Sequence, residues 1–287
     1  MRVLVSIATL LLSSGTVLGQ APGSDIYVGA LSGAGTALRV AQVTNVTARK
    51  GYDNQPSFTT DGQVLLYTAI ADDGQADIWQ LHALASGPMQ LTHTPESEYS
   101  PTVTPNGEGF SVIRVEADST QRLWRFALDG MRASLILRDI KPVGYHAWAD
   151  ANTLALFVLG NPATLQIADT RSGTAQIVAQ NIGRSLHKIP GRHAVSFLHR
   201  TPAGDWITAY DVDRGAMEHL APALEGNEFY AWTPDGTLIS GEGSRLFAWN
   251  GAAWEEFADL GDAGVHGISR IAVSPDGTTL AVVAADG

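Results

Sequence analysis

Six stretches of the chain share one hydropathy pattern: a small or aromatic residue, a turn, built in four of them on Asp-Gly or Asn-Gly, then a run of apolar and β-branched residues. They read PSFTTDGQVLLYTA, SPTVTPNGEGFSVIRV, YHAWADANTLALFVL, LHKIPGRHAVSFLH, YAWTPDGTLIS and IAVSPDGTTLAVVA. With the turns marked at Asp61, Asn106, Ala151, Gly191, Asp235 and Asp276, the intervals are 45, 45, 40, 44 and 41 residues. A fixed period of roughly 40 to 50 residues predicts repeated supersecondary units that bury their faces against one another. Asp-Gly and Asn-Gly tolerate the positive φ of a tight hairpin, so each turn should join two antiparallel strands. The turns at Ala151 and Gly191 lack this chemistry, and spacing and strand pattern alone place the third and fourth units.

A third alternating or aromatic-rich segment follows each hairpin: DIWQLHAL at 77–84, QRLWRFAL at 121–128, ATLQIADT at 163–170, DWITAYDV at 205–212 and SRLFAWN at 244–250. A glycine turn and a fourth segment come next: PMQLTHT, ASLILRD, TAQIVAQ, AMEHLAP or AWEEFAD. Four short strands per repeat with period-two patterning predict an all-β fold, a six-bladed β-propeller of four-stranded antiparallel blades. The sixth repeat supplies only two strands, and the matching third and fourth segments stand at the other end, DIYVGAL at 25–31 and ALRVAQVT at 37–44. The ring is therefore expected to close by strands within 25–44 joining those within 271–284, which pairs edges that would otherwise invite aggregation.

Arg2 precedes an apolar run from Val3 to Leu12, followed by Ser13, Ser14, Gly15 and Gly19. That run is shorter than the ~20 residues of a membrane-spanning helix. Residues 1–19 are thus expected to be an export signal, cleaved after Gly19 or Ala21, with residues 20–287 forming one propeller domain. No later segment is apolar enough to span a bilayer, so a soluble, periplasmic or secreted monomer is expected. The absence of cysteine excludes a disulfide framework and an acylated cysteine. Against 29 acidic residues stand 18 Lys and Arg, or 17 once Arg2 is removed. An acidic chain of this kind lacks the basic surface that nucleic acid requires.

The segments NQPSFTTDGQVLLYTA…DGQADIW and AVSPDGTTLAVVA resemble the WD-like propeller repeats of the TolB type. In that pattern a Pro-Ser-Phe-like inner strand leads through Pro-Asp-Gly to an Asp-Ile-Tyr/Trp third strand. The resemblance covers residues 25–287, most closely at Pro56–Trp79 and Ile271–Ala284, and implies the fold. Such repeats occur in periplasmic scaffolds, peptidase accessory domains and some lyases. The N-terminal α/β domain of TolB has no room in this length, so a Tol-Pal role is not expected.

The chain contains no G-x-S-x-G elbow, H-E-x-x-H helix or Walker loop. The remaining candidate surface is the channel face, where the fourth strand of one blade crosses to the first strand of the next. Every crossing segment carries Tyr or His, and Tyr52, Asp53, Tyr99, Tyr145, His146, His187, Tyr230 and His266 are the binding candidates. Tyr offers area and a hydrogen-bonding tip at small entropic cost; the competing role for these residues is packing between blades. His187, His193 and His199 are spread over two strands and a turn, an arrangement that argues against a metal site. Asp72, Asp73 and Asp77 read as a solvated acidic turn rather than a Ca²⁺ loop. Asn45-Val46-Thr47 matches a glycosylation sequon, and the seven Trp read as inter-blade core.

Two functions fit. The first is an exported binding or scaffold module, without cofactor or metal, that recognises a protein, a peptide, a carbohydrate or another envelope component on its channel face. The second is a metal-assisted lyase or lactone hydrolase at the channel mouth, with His146, His187, His266 and Asp53 as ligands.

Overall fold

The computed structural model of the chain describes residues 22–82 and 87–286. The expected export signal at 1–19 and the end of the first predicted third strand, residues 83 and 84, lie outside the described residues. Among the described residues are 24 strands, two 3-10 turns and no α-helix.

The strands form six antiparallel meanders, of which the sixth and the first are joined by a single parallel bridge between Ser24 and Tyr52. Blade 1 holds Tyr52–Phe58, Val64–Ile70, Ala76–His82 and Met89–Gln90, and blade 2 holds Ser97–Val103, Gly109–Val115, Gln121–Ala127 and Ser134–Leu135. Blade 3 holds Val143–Trp148, Thr153–Val158, Thr164–Asp169 and Thr174–Gln180, and blade 4 holds Ile182–Lys188, Ala194–Thr201, Gly204–Asp211 and Ala216–Pro222. Tyr230–Trp232, Leu238–Glu242, Arg245–Trp249 and Trp254–Asp259 make blade 5. Blade 6 is shared by the two ends of the chain: Arg270–Val273 and Thr279–Ala285 pair with Ser24–Ser32 and Arg39–Asn45. The closing ladder runs antiparallel from Ser24 opposite Ala285 to Ala30 opposite Thr279. First strands touch in a cycle, from Tyr52–Phe58 through blades 2 to 5 to Arg270–Val273 and back to Tyr52–Phe58. The molecule is thus a six-bladed propeller.

Period two explains the core. In Thr153–Val158, Leu154, Leu156 and Val158 face blade 2 and pack with Ile113, Leu123 and Leu137. Ala155 and Phe157, on the opposite face, pack with Val195 and Phe197 of blade 4. Both faces of a blade are covered, so alternate residues of one strand feed two different cores.

Four hairpins share a device the turn dipeptide alone does not show. Thr59, Thr104, Thr233 and Ser274 stand two residues before Asp61, Asn106, Asp235 and Asp276, and each donates its hydroxyl to that carboxylate or amide oxygen. The same hydroxyls accept the amides of Val64, Gly109, Thr237 and Thr279. In blade 3, where Ala149 replaces the hydroxyl residue, Asp150 Oδ1 accepts the amides of Asn152 and Thr153 at 2.7 and 3.0 Å. In blade 4, Gly191 adopts φ +69° without a side-chain clamp.

The fourth strands of blades 1 and 2 contract to two residues, against the seven expected from PMQLTHT and ASLILRD. In blade 1 the Ile78 amide donates to Thr92 Oγ1 at 2.9 Å, while Leu91 N and Thr92 N both donate to the Ile78 carbonyl. A side chain thus replaces a ladder bond, and the strand ends there.

Candidate functional site

Each first strand starts at a crossing from the preceding blade and ends at a hairpin, so six strand starts surround one mouth of the central channel. All six first strands contribute to a cavity of about 480 Å³. Gln55 and Ser100 line its wall at positive φ, 60° and 55°, where the ladders of blades 1 and 2 bulge. The strained positions are tied together: Gln55 Oε1 accepts the Ser100 amide at 2.7 Å and the Thr68 hydroxyl at 2.8 Å. Bulges of this kind re-aim side chains beside functional sites.

Of the sequence candidates, Tyr145, His146, His187 and Tyr230 line the cavity. The His187 ring packs against Tyr230 in a tilted arrangement with centroids 4.9 Å apart, and loss of solvent, followed by the charge of Arg270, pushes its pKa down to about 4. His146 is buried, with Nε2 2.6 Å from Ser111 Oγ and with Trp148 Nε1 donating to the same oxygen at 2.9 Å. Burial pushes its pKa down to about 3, so both imidazoles are neutral at pH 7. Tyr230 is only 2% exposed and burial raises its phenol well above the ordinary value.

Tyr52 and Tyr99 are half-buried beside the mouth rather than in its lining. Burial pushes the Tyr52 phenol up to about 12, against the opposing charges of Arg270 and Arg184. Asp53 does not reach the channel lining. Its side chain is fully buried in the seam between blades 6 and 1, where Arg49 Nη2 donates to Oδ1 at 2.7 Å. Glu98 holds the corresponding place between blades 1 and 2, where it accepts from Thr92 and Arg114. Asp77, considered above as part of an acidic turn, is buried in this same seam and accepts from Gln90 and Thr92. His266 is exposed on the crossing into blade 6 and lies outside the cavity lining.

The donors named for a metal therefore do not converge. His193 is held between Asp150 and Asp213 at 2.8 Å each, and His199 packs beside Phe197 and His219. Among the described residues no group of three His, Cys, Asp or Glu is placed to hold a metal ion.

A search for Tyr and His misses three residues of the mouth: Arg184, Phe229 and Arg270. Arg270 Cζ lies 4.0 Å from the Phe229 ring centroid and 5.1 Å from that of Tyr145, and Arg184 Cζ lies 5.3 Å from Phe229. A signal for two of them was present. Tyr145, Phe229 and Arg270 each stand four residues before the first hairpin residue, Ala149, Thr233 or Ser274.

Two further grooves, of about 740 and 770 Å³, open on the same face between second-to-third-strand loops and crossings. Arg184 and Glu228 line both, joined as an ion pair, and Arg200 Nη2 contacts Glu228 Oε2 at 2.7 Å.

No protein-family model and no curated protein matches the chain. Solved structures match its fold. A protein assigned as TolB in Agrobacterium tumefaciens superposes with a TM-score of 0.71 at 16% identity, over 93% of this chain and 99% of that one. TolB from Acinetobacter baumannii gives 0.59 at 13% identity, over 92% of this chain and 64% of that one. A chain of a nidogen/laminin complex gives 0.61 at 9% identity, over 90% of this chain and 98% of that one. At these identities the likeness is one of fold, a TolB-like propeller. No helix among the described residues is long and apolar enough to cross a membrane.

Proposed function

We propose that this chain is an exported binding module that holds a protein or peptide partner at its channel mouth. The observation that carries this reading is the convergence of Tyr145, Phe229, Arg184 and Arg270 from four different blades on one open cavity. Aromatic rings and guanidinium groups are the residue types that dominate recognition energy in protein interfaces. The grooves on either side of Arg184 and Glu228 extend the surface beyond the channel. Structural neighbours support the choice of class, because one of them is a chain seen in a nidogen/laminin complex. In this reading residues 1–19 direct export to the periplasm or beyond and are removed, leaving one monomeric propeller domain that belongs with the TolB-like propellers.

Site-specific photo-crosslinking in the native host tests the face. A benzoylphenylalanine at Tyr145 should yield a discrete protein or peptide adduct, while the same group at Ile177, which is 54% exposed on an outer strand, should not. Equal labelling from both positions, or none from Tyr145, overturns the assignment of this face.

A further inference from the structure

The channel carries a charge opposite to that of the molecule. The chain has 29 acidic and 18 basic residues, yet the described residues that line the channel include no Asp or Glu. They do include Arg184, Lys188 and Arg270, while both lining imidazoles are neutral. Only Arg184 has a counter-ion, Glu228, and that carboxylate is shared with Arg200. The guanidinium of Arg270 makes no hydrogen bond or ion pair among the described residues, and neither does the ammonium of Lys188.

Arg270 lies over the Phe229 and Tyr145 rings, and since no described residue takes a hydrogen bond from its guanidinium, its N–H groups are left for a ligand. A planar guanidinium with free N–H groups matches a carboxylate through two parallel hydrogen bonds. Low-dielectric walls around charges of one sign focus the field and favour entry of an opposite charge. Beyond the arginines the wall mixes polar side chains such as Ser57, Thr102 and Ser185 with apolar ones such as Pro56 and Pro101.

We propose that the channel mouth is a carboxylate site in which Arg270, with Arg184 beside it, receives an acidic side chain or the free C-terminus of a bound peptide. This deepens the function proposed above and rests on it. Lys188, toward the hairpin end of the same channel, draws further negative charge inward.

The test uses a synthetic library of fluorescent hexapeptides, every sequence made with both an acid and an amide C-terminus, titrated against the full mature chain by anisotropy. Bound sequences should carry Asp, Glu or a free C-terminus. Converting the acidic side chain or the terminus to its amide identifies which source is used and should weaken binding about tenfold or more. Arg270→Gln should cause the same loss with an unchanged melting profile, Arg270→Lys a smaller one, and added salt should weaken the wild type more than Arg270→Gln. Neutral binders indifferent to Arg270→Gln overturn the carboxylate site and leave the peptide reading standing. If no hexapeptide binds, both fall. An Arg270-dependent response to oligouronides in place of peptides overturns the peptide assignment.

Discussion

Asp53 has one carboxylate oxygen held by Arg49 at 2.7 Å, while the other, Oδ2, has no hydrogen-bond partner among the described residues. Burial raises its pKa from 3.8 to about 6 against the opposing effect of Arg49. The folded state therefore binds this proton more tightly than the unfolded state. The associated stability is fully present below pH 3.8 and is lost as the pH rises through about 6. A shift of about two units corresponds to about 3 kcal/mol at most. The turn carboxylates behave in the opposite sense: hydroxyl and amide donors lower the pKa of Asp61 and Asp276, and their contribution is lost as the pH falls through the acid range. His146 and His187, whose pKa values are depressed by loss of solvent, favour the higher pH over the same window, so the effect of Asp53 is read against its variant: the melting temperature of Asp53→Asn relative to wild type should rise from pH 5 to pH 7. A difference between the two proteins that does not change with pH would contradict the assignment. At this scale the sequence is a partial guide, because residue type and crossing segment alone do not fix which way a side chain faces. A crossing residue can face the channel, as Tyr145 does, or a blade seam, as Asp53 does, and bulges such as that between Asn54 and Ser57 shift which one results.

The hairpins show how an element can be legible while its support is not. Asp-Gly and Asn-Gly marked four turns, yet the hydroxyl two residues earlier carries two of the hydrogen bonds that close each one. Thr104 is 4% exposed, so Thr104→Val keeps the shape while leaving the Gly109 amide without its side-chain acceptor. Equilibrium unfolding in urea should register a loss of about 1–2 kcal/mol, and an unchanged midpoint would mean that the backbone bonds of the turn suffice. Second strands were readable because both faces of a blade are buried, which makes them near-continuous apolar runs such as Val64–Ile70 and Gly109–Val115. The outer strands of blades 1 and 2 were not; in blade 1 the ladder ends where Thr92 exchanges a backbone bond for a side-chain one. The Trp residues fell on strands as expected, but two also act as latches. Trp148 Nε1 and Trp232 Nε1 donate at 2.9 Å to Ser111 and Ser196 of the preceding blade. Trp148→Phe should remove about 1 kcal/mol by the same urea measurement, and a larger change would indicate lost packing beyond the latch.

Closure of the ring is the property on which the channel depends, because Arg270 and Tyr52 begin the first strands of the two blades that meet across it. It could be read from the repeat count, as the missing half-blade at one end matched two strands at the other. The seam that secures it could not, since it joins residues far apart in sequence: Ser24 N donates to Gly51 O at 2.8 Å and Ser24 Oγ to Asp53 O at 3.1 Å. Deleting residues 24–45 removes the partner of Thr279–Ala285 and buried side chains including Ile26, Leu31 and Leu38. What remains of blade 6 is a two-stranded ribbon, which is marginal alone, with an open edge that can pair with another chain. The deletion should elute as oligomers and melt well below the intact protein. Loss of sequence and loss of closure are separated by a circular permutant that links residue 286 to residue 22 and opens the chain between Pro202 and Ala203. It keeps every strand and adds a covalent bond where Asp286 N already donates to Gly23 O at 3.2 Å. Blade 4 then becomes the shared blade, and the permutant should stay monomeric with a melting temperature near that of the parent. A monomeric deletion variant with undiminished melting would show that the other five blades hold the ring without the sixth.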